Sequence, residues 1–490
     1  MTRLADTASL PPEVRVPGYD RGAHGEGIVH LGLGAFHKAH QAVYTDDALA
    51  AAGGDWRIVG VSLRSAGPTE DLRAQDGLYT LLEADAGGTR ARVVGALSRA
   101  LAHAHGEEDA VRAALAAPAT RIVTITVTEK GYGLDRQTGG VDPDHPAIAH
   151  DLERPDAPVG VAGLIVQALA ARRAAGTPPF SVLSCDNLPD NGGLTRGLIL
   201  DFASRVDPAL RDWIEGNVAF PSSMVDRITP AAGETTLALA ADLTGHEDRA
   251  AVMAERFRQW VIEDRFCAGR PAWDAAGALL VDDVTPYELM KLRMLNGAHS
   301  MLAYTGFLAG HRYVRDVMAD ADLAALVGRH LGAAASTMAP LRGVDFAVYA
   351  DDLADRFRNP HLGHETYQIA MDGTEKMPQR IFAPALDAMR AGLDLRPFAF
   401  ATASWLRYST GRGDDGRAHD LRDPRQAEIA RAIDGRDDAP AIADAVLALP
   451  RFAPGALVRD ATFRDPVVEI LDAMLDRGVR PVIAAEARRP

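Results

Sequence analysis

The chain has 490 residues, with 52 Lys and Arg against 67 Asp and Glu and a formal net charge of −15. Its 47% hydrophobic and 24% charged residues exclude a largely disordered chain, and the acidic balance argues against a nucleic-acid partner. Two cysteines, Cys185 and Cys267, are too few for a disulfide framework or a cysteine-rich zinc site.

The length suggests two or three domains. The start is polar and rich in Pro and Gly, without the apolar stretch of a signal peptide. No apolar run reaches the roughly 18 residues of a membrane helix. A soluble, cytoplasmic protein with no membrane partner is therefore expected.

In chain order, the first strong element is the β-rich run Gly27–Gly32, followed by Gly34 and a helical stretch from Phe36 to Tyr44. Strand, glycine turn and helix open a dinucleotide-binding unit, where glycine lets the backbone approach a pyrophosphate and the helix N-terminus stabilises its charge. The third glycine of the full fingerprint falls at His37, so the match by itself is weak. Further strands are expected over 56–63, 121–128 and 180–184, separated by Ala-rich helices around 109–115 and 161–169. Continuous Val/Ile runs suit strands covered on both faces, hence a parallel sheet in an α/β domain. A carboxylate at the end of the second strand would hold the adenosine ribose. Here the strand runs into Leu63-Arg64-Ser65, so Arg64 and Ser65 leave NADP open as well as NAD.

Two strand-end loops carry polar groups: Thr128-Glu129-Lys130-Gly131 and Cys185-Asp186-Asn187-Leu188. Ligands bind at that edge of a parallel sheet, although Asp and Asn also suit turns for their own reasons. The segment from Phe220 to Ile228, with Asp226, also mixes polar and apolar groups.

After about residue 285 helical periodicity takes over. The boundary is placed near Thr285, giving domains 1–285 and 286–490. Thr285 and Glu288 have capping-box spacing, with Pro286 at the first helical position. On the helix they start, Lys291, His299 and Asn296 fall at roughly 0°, 80° and 140° by the α-helical count. Leu292 and Leu295 share that side, so the polar groups sit among leucines. Partial exposure explains this blandly. The chemical alternative is an alcohol/ketone site, with a desolvated Lys as base and Asn and His donors at the reacting oxygen.

Of the 15 histidines, His103/His105 and His361/His364-Glu365 cluster most tightly, but neither pair brings a third ligand or matches H-E-x-x-H. No metal is expected. No G-x-S-x-G elbow appears either.

Taken together, the stretches HLGLGAFHKAHQAVYTDD, TVTEKGY, SCDNLPDNG, FPSSMVDRITP, FRQWVIEDRF, GRPAW, PYELMKLRMLNGAHSMLAYTGFLAGH, RFRNP and MDGTEKMPQR resemble the polyol-specific long-chain dehydrogenases, the mannitol dehydrogenase family. They extend in one order over nearly the whole chain, and the Lys-x4-Asn-x2-His pattern is specific to that family. The resemblance implies a Rossmann-type N-terminal domain, a mostly helical C-terminal domain and a metal-independent, NAD-linked oxidoreductase with a site in the cleft between them. It assigns Lys291 as general base, Asn296 and Asn187 to the substrate oxygen, His299 to the hydroxyl, and Glu129 to a proton path or gate. Gly32, Gly34 and Phe36 would lie against the cofactor. Asp226 and Lys376 would contact the distal hydroxyls or the acid end of the substrate. The segment 366–380 is similar to the members that act on sugar acids, the fructuronate reductases. Mannitol dehydrogenases tend to carry Arg where Gln368 stands, and Arg380 and Lys376 are candidates for a substrate carboxylate. The substrate is thus expected to be a small polyol or hexuronate, with mannitol 2-dehydrogenase as the alternative within the class. A silent dinucleotide-binding protein is the alternative outside it. The family includes monomers, so a monomer or weak oligomer is expected.

Overall fold

The computed structural model describes residues 2–135, 137–361 and 363–489, and the chain divides into two compact units, Met1–Thr285 and Pro286–Pro490. The strands of the first unit are β1 (Glu26–Leu31), β2 (Arg57–Ser62), β3 (Tyr79–Asp85), β4 (Gly88–Val94), β5 (Leu97–Ala102), β6 (Ile122–Ile125), β7 (Ser181–Ser184), β8 (Ser223–Asp226), β9 (Val252–Glu255), β10 (Gln259–Glu263) and β11 (Leu279–Val281). Five of them form a parallel sheet in the order β5-β2-β1-β6-β7. The order reverses at β1/β6, which is where an open α/β sheet leaves a crevice at the strands' carboxyl ends.

Alternate residues explain why the sheet is covered twice. Val29, Leu31, Val59, Val61, Val123 and Ile125 join a core with the helices Glu108–Ala116, Val161–Ala175 and Asn191–Val206. Ile28, Ile58, Ile122 and Leu183 face the other way, into a core with Val43, Leu49, Trp260 and Trp273.

Three local readings change. The helix expected from Phe36 to Tyr44 is two helices, α1 (Ala35–Ala39) and α2 (Gln41–Ala52), broken at His40 with φ −124° and ψ −84°. The strand expected over 121–128 ends at Ile125, and Thr128 has φ +63°. Strand β5, sequence LSRALA, has no β-branched residue and gave no local strand signal.

His37 fills the third-glycine position because its ring stacks on His30 across the strand–helix contact, with centroids 3.4 Å apart and planes 11° from parallel. His30 is held by Thr124 Oγ1 at 2.8 Å and Thr126 Oγ1 at 2.9 Å. Burial pushes His30 and His40 down to about 3 and His37 well below its ordinary value. All three are neutral in the folded state, whereas an unfolded His protonates near 6.5. The stability they contribute is present above the unfolded pKa and is lost as pH falls toward the folded values. At pH 5, His30 and His40 should each cost about 2 kcal/mol relative to pH 7.5. Denaturant unfolding at the two pH values checks this, and a midpoint independent of pH between 7.5 and 5 would refute it.

In the second unit every regular element is helical among the described residues. The helix Arg396–Ser409 is buried from Phe398 to Ser409 and packs against the helices Gly297–Leu308 and Ala461–Arg477. No helix among the described residues is long and apolar enough to cross a membrane.

Candidate active site

The crevice at β1/β6 is a real hollow. A cavity of about 480 Å³ is bordered by Gly32 and Leu33 after β1, Ser62, Leu63 and Arg64 at β2, and Val127 and Gly131 after β6. Gly32 adopts φ +105°, and a Cβ there would lie 2.1 Å from the Thr126 carbonyl oxygen. Only glycine lets the ends of β1 and β6 come this close. A Cβ on Gly34 would meet nothing nearer than the Gly32 carbonyl oxygen at 3.6 Å. The N–H groups of Gly32 and Leu33 both donate to the Val61 carbonyl, at 2.9 and 3.0 Å. Those of Gly34, Ala35 and Phe36 have no acceptor among the described residues. Of the candidate cofactor residues, Gly32 and Arg64 border the cavity; Gly34, Phe36 and Ser65 do not. The Phe36 ring instead lies nearly parallel to His40, with centroids 5.1 Å apart. Among the described residues no Asp or Glu borders the cavity, and the Arg64 guanidinium on its wall suits a polyanionic dinucleotide.

The next two strand ends are tied together by a residue that the local sequence disguised as a turn former. Asp186 accepts from the N–H of Val127 at 2.9 Å, the N–H of Thr128 at 3.0 Å and the Tyr132 hydroxyl at 2.8 Å. Burial raises its pKa. It thereby fixes the loop carrying Glu129 against the loop carrying Asn187, both of which are exposed. Asn191 continues the chain of contacts. Its amide donates to the carbonyls of Asp186 at 3.0 Å and Ser223 at 2.7 Å, and its oxygen accepts from the Ser223 N–H at 2.9 Å. That seats β8, whose last residue is the buried Asp226. The signal that would have found Asp186 is an acid directly after a buried strand, opposite a second strand-end loop.

In the second unit, Lys291, Asn296 and His299 lie on one continuous helical rod, but the stretch Lys291–Asn296 is a π-helix between the α-helices Thr285–Met290 and Gly297–Leu308. The Gly297 N–H reaches the Leu292 carbonyl, five residues back. The α-helical count used for Asn296 therefore does not hold. A turn closing on the fifth residue brings Asn296 back over Lys291 instead of leaving it well around the barrel. Such widened turns recur at functional sites.

The widened turn is anchored from behind. Arg293, 6% exposed, donates to the Thr337 carbonyl at 3.0 Å and hydroxyl at 2.8 Å and pairs with Asp387. Arg380 lies in a second π-helix, Pro378–Phe382, and its Nη1 reaches the Asn296 carbonyl at 3.4 Å and Ser300 Oγ at 3.3 Å. Gly297 permits that approach, since a Cβ there would stand 3.1 Å from the Arg380 carbonyl oxygen.

Lys291, Asn296 and His299 are each partly buried. The His299 ring lies 4.7 Å from Phe357 and 6.0 Å from His364. The His364 side chain is thus a neighbour of His299. Among the described residues no group of three or more His, Cys, Asp or Glu converges as a metal would need. Lys376 donates to the carbonyls of Ile369 and Met371 and lies 3.8 Å from Asp372, with burial lowering its pKa. Gln368 is exposed on the same segment, in the short helix Thr366–Ile369.

A parallel sheet with a glycine-shaped crevice, followed by a helical unit with a Lys-Asn-His helix, defines a dinucleotide-dependent oxidoreductase. The Rossmann-domain model of mannitol dehydrogenases matches residues 26–275, and that of their C-terminal domain matches 283–475. The chain belongs to the mannitol dehydrogenase family, which includes NAD-dependent oxidoreductases acting on hydroxyl groups of polyols or sugar acids. It is 42% identical to a D-mannonate oxidoreductase of Escherichia coli, over 99% of this chain and 100% of that protein. It is 41% identical to a mannitol 2-dehydrogenase of Phaeosphaeria nodorum, over 86% of this chain and 75% of that one. A solved mannitol 2-dehydrogenase of Pseudomonas fluorescens, in complex with NAD and D-mannitol, is 36% identical with a TM-score of 0.80 over 100% of both chains.

Proposed function

We propose that this chain is a fructuronate reductase, converting D-mannonate and NAD⁺ into D-fructuronate and NADH with Lys291 as general base. The observation that carries the reading is the π-opened helix of Lys291, Asn296 and His299, braced at Asn296 by Arg380, in a chain matched end to end by a D-mannonate oxidoreductase.

NAD, when bound, supplies the acceptor for the hydride of the carbinol carbon. Lys291 takes the hydroxyl proton at Nζ, a role that needs the amine neutral. The amides of Asn296 and Asn187 donate to the substrate oxygen as it gains charge, and His299 orients the hydroxyl. Glu129 serves as a proton-path or gating group. Asp226 accepts from distal hydroxyls. Lys376, held by the Ile369 and Met371 carbonyls and beside Asp372, supplies a cation for the distal hydroxyls or the acid end of the substrate. Arg380 adds a second cation, and Gln368 a neutral group where mannitol dehydrogenases tend to carry Arg.

A substrate carboxylate paired with these cations should favour D-fructuronate over D-fructose by about a hundredfold in kcat/KM. Steady-state assays with D-fructuronate, D-fructose, D-mannitol and D-arabinitol test this. A preference for fructose or mannitol would establish the second reading, mannitol 2-dehydrogenase, which the similarity to the Phaeosphaeria and Pseudomonas enzymes favours. Dinucleotide binding with no turnover of any of the four would leave a silent dinucleotide-binding protein.

A further inference from the structure

We propose that the loop after β2 accepts a 2′-phosphorylated dinucleotide at least as well as the unphosphorylated one, with Arg64 as the phosphate ligand. The inference rests on the reading of the first unit as the cofactor domain and concerns which dinucleotide it takes.

Selection for NAD relies on an acid at the end of the second strand, which accepts from the ribose hydroxyls and repels a 2′-phosphate. Here β2 ends at Ser62 and continues as Leu63-Arg64-Ser65-Ala66, without a carboxylate. None of the residues bordering the cavity at that strand end is an Asp or Glu, so the repulsive element is missing from the whole wall. The carboxylates of the adjoining hollow, Glu108 and Asp109, stand on another element, the helix Glu108–Ala116, and Asp109 is paired with Arg112.

The attractive element is in place. Arg64 borders the cavity with an exposed side chain, and its guanidinium has no hydrogen-bond or ion-pair partner among the described residues. Its backbone, in contrast, is held. The Arg64 carbonyl accepts from His105 Nε2 at 3.1 Å, and the Ser65 N–H donates to Ser62 Oγ at 3.4 Å. An unpaired guanidinium on the cavity wall, carried by a held backbone, can donate to a dianionic phosphate.

Fluorescence titration of the intact protein with NADPH and NADH tests the proposal, alongside calorimetry with 2′,5′-ADP and ADP as probes that cannot react. NADPH and 2′,5′-ADP should bind at least as tightly as NADH and ADP. Arg64→Ala should weaken both phosphorylated ligands by about ten- to a hundredfold and the others far less, while Arg64→Lys retains part of the preference. An unchanged thermal midpoint shows that the variants are folded. Wild-type protein binding NADPH tenfold or more weaker than NADH would overturn the proposal, and so would an Arg64→Ala variant that weakens both dinucleotides equally. Tight NADPH binding without turnover of any sugar acid or polyol would leave this inference standing and remove the fructuronate reductase reading instead.

Discussion

Lys291→Ala is expected to lower turnover at neutral pH by about 10² to 10⁴-fold, the range for removing a positioned general base. Hydride cannot leave the carbinol carbon unless the hydroxyl proton departs, and no other amine occurs in the motif helix to take it. Residual activity should rise steadily with pH, as hydroxide replaces the missing base. Lys291→Arg should fail as badly, because a guanidinium stays protonated throughout the accessible range. Dinucleotide affinity, a property of the first unit, should be unaffected, and this separates a missing base from a misfolded protein. Near-normal turnover in Lys291→Ala would eliminate the assigned role.

Gly32→Ala should destabilise the first unit by about 3 to 5 kcal/mol. Two penalties combine. Alanine resists φ +105°, and its Cβ would overlap the Thr126 carbonyl at 2.1 Å. That carbonyl belongs to a residue that cannot easily give way: the Thr126 N–H donates to Leu31 O at 2.9 Å and its hydroxyl to Gly32 O at 3.0 Å. The ends of β1 and β6 would have to separate. Gly34→Ala is the matched control. At φ −130° and with 3.6 Å of room it should cost less than about 1 kcal/mol of stability. Loss of dinucleotide affinity in Gly34→Ala, with the fold intact, would then report close approach of the cofactor to that backbone. Urea midpoints and NADH titrations of the two variants measure both effects, and a Gly32→Ala protein as stable as the parent would contradict the steric argument.

The two glycines illustrate what spacing conveys and what it leaves out. Gly32-x-Gly34 marks a tight turn after a buried strand, but the two positions carry different requirements. One is demanded by the protein's own backbone, the other by nothing inside the protein. His37 is a similar case: as a departure from the glycine fingerprint it weakened the match, yet it is stacked on His30 and supplies the strand–helix contact in another way. The helix of Lys291 was legible from its residue types and from Pro286. Its π turn was not, because the widened turn is held by Arg293 on Thr337 and Asp387 and by Arg380 on Ser300, all distant in sequence.

From the sequence by itself came the α/β first half, the helical second half and the Lys-x4-Asn-x2-His motif. Each is written in short-range apolar periodicity or in a fixed spacing along one element. Only the tertiary structure decided how Asp186 binds two strand-end loops, how Asn296 returns over Lys291, and that the wall around Arg64 holds no carboxylate. Those features depend on hydrogen bonds, steric approach and the composition of a surface assembled from separate segments, and local patterns do not encode which distant groups will meet.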